Sequence, residues 1–490
     1  MTTAVALLLA FAVLFASGGG LVLLVARNQM RFGACEFAAL SWLFGTGSVS
    51  LFLWLGGLLT LRGAALQTAV ATISIALLVA GWRRTSRAML PRFSSPTGPA
   101  EWILAAFLLL ELGMLLLGSY KHTLGWDGVV NWEAKARYAF LNGGALPAEY
   151  YSSPGRVFTH PEYPLAIPFT ELWLYLALGA AHQFWAKSIF LIYYAAGAFL
   201  LAALATRLTG RRGLGLTIAA LLFFTPQVTF GHGGAASGYA DFALATIYLG
   251  AIGFLALELL GNNGAAFRFY AALLALLPWF KREGTILWLV AALAGVSVIL
   301  RARERRKLLA LLPGLGIILA WKLFLFCQHT VVSRDFVPLG RAAFAESLTR
   351  LGPIVSALGK EFTDLAQWSL LWPLLLGAAF FLVRRRRFLL SALLLPAIFV
   401  PLLLYCATYF FSAWPDVGKH IETSFPRLLL QIAPLAWLTI AAAIGAQWPL
   451  PSCIATALAR NGDSAIDGPT RPVPRPDRGA CDVQSDRRPL

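Results

Sequence analysis

Along nearly the whole of this chain, apolar runs long enough to cross a membrane alternate between loops rich in arginine and loops almost free of it. A hydrocarbon core about 30 Å thick takes about 20 apolar residues at 1.5 Å rise each. By that measure the spans are 4–26, 37–61, 64–82, 100–118, 184–206, 214–230, 240–260, 267–280, 285–300, 308–326, 366–383, 388–409 and 426–446. That makes about 13 transmembrane helices. The chain reads as an all-α polytopic membrane protein. With 58% hydrophobic and only 13% charged residues it lies outside the range of soluble globular domains.

Orientation follows from the basic clusters, because Lys and Arg beside spans stay in the cytoplasm. The clusters are Arg27 with Arg31, Arg83 to Arg92, Arg207 to Arg212, Arg301 to Lys307 and Arg384 to Arg387. Thirteen spans put all of them on one side, with the N-terminus outside and the C-terminus inside. Counting 165–181 as another span would invert the later clusters, so it is expected to lie on the outer surface, with Trp173, Tyr175 and the nearby Trp185 at headgroup depth. The net charge of +17 is spread over short runs at span ends, which marks topology and headgroup contact and excludes nucleic acid as a partner. Five scattered cysteines show neither metal spacing nor a disulfide framework, and residues 4–26 read as a retained helix.

The outer loops carry the residues able to do chemistry. The first long one, 119–183, holds Trp126-Asp127, then Asn131-Trp132-Glu133, and ends in His160-Pro161-Glu162-Tyr163-Pro164. Asp127 suits an N-cap of the helix after it by spacing alone, and otherwise a general base tethered at the membrane surface. Trp126 and Trp132 suit a platform for a sugar ring or prenyl chain, or interfacial anchors. His160 suits a phosphate contact or an ordinary loop position, and the two prolines rigidify the chain leading into the surface helix.

Two more polar groups open membrane spans. Tyr239-Ala240-Asp241 places a carboxylate at a helix N-terminus, where the dipole favours it. Lys281-Arg282-Glu283-Gly284 sets cations on the disfavoured face, for which an anionic ligand or an ion pair with Glu283 accounts. The last outer loop gives Asp416, Lys419, His420, Glu422 and Arg427, the arginine opening the final span. A second outer segment, 327–365, is weakly amphipathic around Phe344 to Leu358. Glu111, midway along 100–118, needs a polar partner that the sequence does not name.

Residues 100–446 resemble the GT-C superfamily of glycosyltransferases that use polyprenyl-phosphate sugars, and more narrowly the bacterial relatives of protein mannosyltransferases and aminoarabinose transferases. The likeness rests on the large first outer loop with an early acidic residue, the Pro-rich lead into a surface helix, the Tyr-Ala-Asp segment and the Lys-Arg-Glu-Gly segment. It implies transfer of a sugar, with inversion, on the outer face of a bacterial inner membrane, to an acceptor glycan, lipid or protein. It casts Asp127 as catalytic, Lys281, Arg427 and His160 as donor-phosphate ligands, and Trp126, Trp132, Glu133, Glu162, Asp241, Glu283 and His420 as substrate-binding. No cofactor and no metal is implied, since the first loop has no Asp-X-Asp pair. Where many relatives carry Lys-Pro-Pro, this chain has His160-Pro-Glu-Tyr-Pro, and residues 1–99 are additional N-terminal spans. Residues 447–490 read as a cytoplasmic tail, disordered over 461–490 where proline and arginine dominate. A transporter, a lipid flippase or a surface-glycan ligase or polymerase is the alternative class.

Overall fold

The computed structural model describes residues 2–261, 264–333, 335–337, 348–385 and 388–446. The expected tail, Arg386 with Arg387, and much of the second outer segment lie outside the described residues. Numbering helices of eight residues or more, the order is α1 Thr3–Ala26, α2 Ala34–Leu58, α3 Gly63–Arg84, α4 Pro99–Lys121, α5 Ala134–Leu141, α6 Ala166–Leu178, α7 Ser188–Thr209, α8 Arg212–Phe223, α9 Asp241–Gly261, α10 Gly264–Phe280, α11 Gly284–Ala302, α12 Leu312–Cys327, α13 Leu351–Thr363, α14 Leu371–Arg384, α15 Phe388–Tyr409, α16 Val417–Leu430 and α17 Ala433–Gly445. No β-strand forms among the described residues.

Nine helical stretches there are long and apolar enough to cross a membrane, and α16 with α17, bent by 45°, makes a tenth candidate. This is the fold of a multi-pass helical membrane protein. Three of the thirteen expected spans coincide with shorter apolar helices, α8, α10 and α14. Pro226 just after α8 accounts for one of these limits, since proline lacks the amide that continues a helix.

The basic clusters gather at one end of the bundle. Arg207, closing α7, grips Glu36 at the start of α2 through two bonds of 2.7 Å. Arg212 donates to the Ser94 and Ser95 carbonyls before α4, Arg268 to Val25 and Ala26 at the end of α1, and Lys307 pairs with Glu258 at the end of α9. Each tie joins loops expected on the same side.

The N-terminal helices are part of the same compact unit rather than an appendage. Small residues let backbones approach closely there. A Cβ at Gly45 would meet the Leu14 carbonyl, and one at Gly20 would meet Leu77 backbone. The reading of α6 as a surface helix is corrected: ten of its residues from Ala166 to Tyr175 are buried, packed on α1, α2 and α5, and Trp173 donates to the Ala10 carbonyl at 3.0 Å. With Trp173 and Tyr175 fully enclosed by protein, neither anchors the chain at headgroups. The run is nearly all apolar because protein surrounds it, not lipid, and its one carboxylate, Glu171, is buried with it.

Candidate functional site

At the end of the bundle opposite the arginine clusters, four segments far apart in sequence meet in one network of charges. Asp241, in the first turn of α9, is fully buried and accepts from Lys281 Nζ at 2.7 Å and Gln431 Nε2 at 2.8 Å on one oxygen, and from Arg427 Nη2 at 3.2 Å on the other. A buried carboxylate is tolerable only when so satisfied. Arg427 Nη2 also reaches Asp127 Oδ2 at 2.6 Å, and Lys281 Nζ reaches Glu283 Oε1 at 3.0 Å. Tyr405 completes the set by donating to Gln431 Oε1 at 2.7 Å.

The backbone explains these positions. Lys281, Arg282 and Glu283 form the turn between α10 and α11, so tight that a side chain at Gly284 would collide with the Leu277 carbonyl. Arg427 does not open the final span as expected; it lies in the last turn of α16, just before the bend at Gln431 and Ile432. Its guanidinium sits 4.6 Å from the Tyr239 ring centroid. Gly233, at φ +87°, gives it room, since a Cβ there would lie 2.7 Å from Arg427 Cγ.

Asp127 is helical in conformation but caps nothing, so its N-cap reading is set aside. It precedes a π-helical segment, Gly128–Glu133, a geometry found more often at functional sites than elsewhere. Its amide donates to the Tyr239 hydroxyl at 3.1 Å, and Gly125 donates to the Ser237 carbonyl at 2.8 Å, so the first loop is fastened to the segment leading into α9. Burial holds the Tyr239 hydroxyl above its ordinary pKa and, with Arg427, pulls the nearby His232 imidazole below its own. Asp127, at 18% side-chain exposure, remains open, whereas Asp241 and Lys281 are sealed at 0% and 2%.

The two cations expected at the donor phosphate have carboxylate partners of their own. Asp127, Asp241 and Glu283 outnumber Lys281 and Arg427, so the network is net negative and both expected phosphate ligands are already engaged. Basic side chains without such partners lie beside the turn. Arg282, Lys322 and His329 line a cavity of about 360 Å³ between the turn and α12, with Trp321, Leu325 and Phe326 as its apolar wall. None of the three makes an ion pair among the described residues, and Arg282 lies 5.7 Å from the Phe336 ring centroid. An anion with an apolar tail suits such a lining.

His160 and Glu162 edge this region without joining the network. His160, at φ +47°, stacks on Tyr163 at 4.7 Å with Nδ1 3.4 Å from Glu162 Oε1. Burial alone would raise the Glu162 carboxyl, but hydrogen bonds from His160 and Ser333 outweigh it and hold it below its ordinary value. Glu162 lines the cavity and His160 does not. Three expected substrate residues are enclosed. Trp132 is fully buried against Tyr163, Glu133 is paired with Arg137 and Tyr175, and His420 is bonded to Ser412 and stacked on Trp414 at 4.8 Å. Trp126 is free to meet a ligand at 74% exposure.

Lys135 went unread in the sequence. It is fully buried, donating to the Asn131 carbonyl at 2.8 Å and the Thr159 carbonyl at 2.6 Å, and so pins the π-helical segment to the His160 strand of the loop. Burial pulls it down to about 7, against the pull of the Glu162 and Asp127 carboxylates. Glu111 is buried in α4 with no hydrogen-bond partner among the described residues. No family model matches the chain, and neither a curated protein nor a solved structure matches it.

Proposed function

We propose that the protein is a membrane glycosyltransferase that moves a sugar from a polyprenyl-phosphate donor to an acceptor at the end opposite the arginine clusters, the outer face of a bacterial inner membrane. One observation carries this reading: an open carboxylate, Asp127, fixed by Arg427, belongs to a network that leads through Lys281 to a cavity lined by Arg282, Lys322, His329, Glu162 and apolar residues. The first part suits activation of a hydroxyl and the second suits a lipid phosphate.

In the proposed reaction the acceptor oxygen attacks the anomeric carbon and the bond to phosphate oxygen breaks. The polyprenyl phosphate leaves with the electron pair, and Asp127 takes the hydroxyl proton. One displacement inverts the configuration. Arg427 orients Asp127, while Arg282, Lys322 and His329 neutralise the leaving phosphate, an electrostatic contribution that acts where charge develops. Lys281 and Asp241 position the turn and the arginine rather than touching substrate. A face without ATP or nucleotide sugars favours a donor already carried by lipid.

The test is release of polyprenyl phosphate from a radiolabelled lipid-linked sugar by the protein in liposomes, compared with Asp127→Asn. Loss of release with donor binding kept supports the reading. Undiminished release removes the base assignment, and movement of the intact sugar-lipid between leaflets without release assigns the protein to the transporters or flippases.

A further inference from the structure

A second cavity, of about 470 Å³, lies at the arginine-rich end between α11 and α15. Its walls run from Val290 to Arg301 on one helix and from Leu389 to Val400 on the other. Eleven residue steps at 1.5 Å give each wall about 16 Å, close to the roughly 15 Å depth of one leaflet's hydrocarbon. The small side chains Ala294, Ser297 and Ala392 and the interruption at Pro396 leave the groove between the helices.

All lining residues but two are apolar, and the charged one is at the mouth. Arg301, in the last turn of α11, is exposed and makes no hydrogen bond or ion pair among the described residues, whereas its neighbour Lys307 is held by Glu258 and Glu304. The charge and the length decide between occupants. A helix of a second copy, about 10 Å across, would lie over the groove rather than in it. A lipid-linked donor would have its phosphate at the other end of the bundle.

We propose that this groove binds one acyl chain of an anionic phospholipid from the leaflet on the arginine-rich side, with the lipid phosphate held by Arg301. Setting aside the lipid-linked donor as occupant rests on the proposed function; the groove and Arg301 do not. The lipid sits between two helices that reach the charge network at their far ends, α11 through the Lys281 to Glu283 turn and α15 through Tyr405.

The test is quantification of lipid retained by the full-length protein purified in mild detergent from membranes containing phosphatidylglycerol and phosphatidylcholine. Wild type is expected to retain phosphatidylglycerol preferentially. Arg301→Ala should lower its retention about five-fold, the effect of one basic residue near a charged surface, and leave phosphatidylcholine unchanged. Ala294→Trp, filling the groove, should lower both, with Ser297→Phe as the substitute if the tryptophan variant does not fold. Equal retention in wild type, Arg301→Ala and the groove-filling variant overturns the proposal. So does a dimer that these substitutions dissociate, which would assign the face to a second copy.

Discussion

The two ends of the bundle use charge differently. At the arginine-rich end the ties are local: Arg207 with Glu36, Lys307 with Glu258, Arg268 with carbonyls of α1. Each fastens one loop to a neighbouring helix end and stops there. At the opposite end Asp127, Arg427, Asp241, Lys281 and Glu283 form an unbroken chain, partly sealed and partly open, beside Arg282 and Lys322, which make no ion pair among the described residues. The first pattern is what topology requires, because excess positive charge faces headgroups. The second costs desolvation that topology does not require. That difference is the reason to place chemistry at the second end.

The strongest way to break the contrast is Asp127→Asn, which keeps an acceptor for Arg427 but removes the base. Sugar transfer should fall about 100-fold to 10,000-fold, with thermal stability little changed; wild-type turnover would make the open carboxylate structural. Next comes Asp241→Ala, which leaves Lys281 buried without its nearest partner. It should destabilise the protein by about 3–5 kcal/mol, as breaking a buried pair does, read as a lowered unfolding temperature in detergent. At the other end Glu36→Gln should cost only about 1 kcal/mol, because Arg207 is part-exposed and also bonds the Arg31 carbonyl. Equal losses would erase the distinction.

A smaller effect separates the cavity from the network. Arg282→Ala with Lys322→Ala should lower kcat for transfer about ten-fold, from the loss of charge-assisted bonds to the leaving phosphate. An unchanged kcat would move the leaving phosphate elsewhere. The smallest effect is a pH dependence. Lys135 titrates near 7 in the fold against 10.5 when unfolded, so the unfolded chain binds more protons between those values. The first loop therefore gains stability as pH rises from about 7 toward 10.5, and loses that contribution as pH falls back. Protease protection of residues 128–163 should be greater at pH 9 than at pH 7 in the wild type, and the rise should vanish in Lys135→Met.

Much of this could be read from the sequence, because topology is written in composition. The alternation of apolar runs and arginine clusters put Asp127, Asp241, Lys281 and Arg427 on one face, and in the structure they touch. Pairing was not legible. Spacing does not say that Arg427 meets two carboxylates, or that Gln431, at a helix bend, bonds Asp241. Nor does it separate Trp126, exposed, from Trp132, buried six residues later, since both stand in the same aromatic loop. The helix α6 misled for a related reason: an apolar run looks alike whether protein or lipid surrounds it. Lys322 was the available signal for the cavity, a lysine inside an otherwise apolar helix end, where a long side chain reaches out of the hydrocarbon.

The sidedness of the two ends is open to one direct measurement, labelling of single cysteines in a cysteine-free background of intact cells with a membrane-impermeant maleimide. Trp126→Cys beside the network and Arg282→Cys at the cavity should both react from outside. Arg83→Cys and Arg305→Cys, among the arginines, should react only after the membrane is permeabilised. Labelling of Trp126→Cys and Arg282→Cys from different sides, or of all four from one side, would contradict a single outward-facing site.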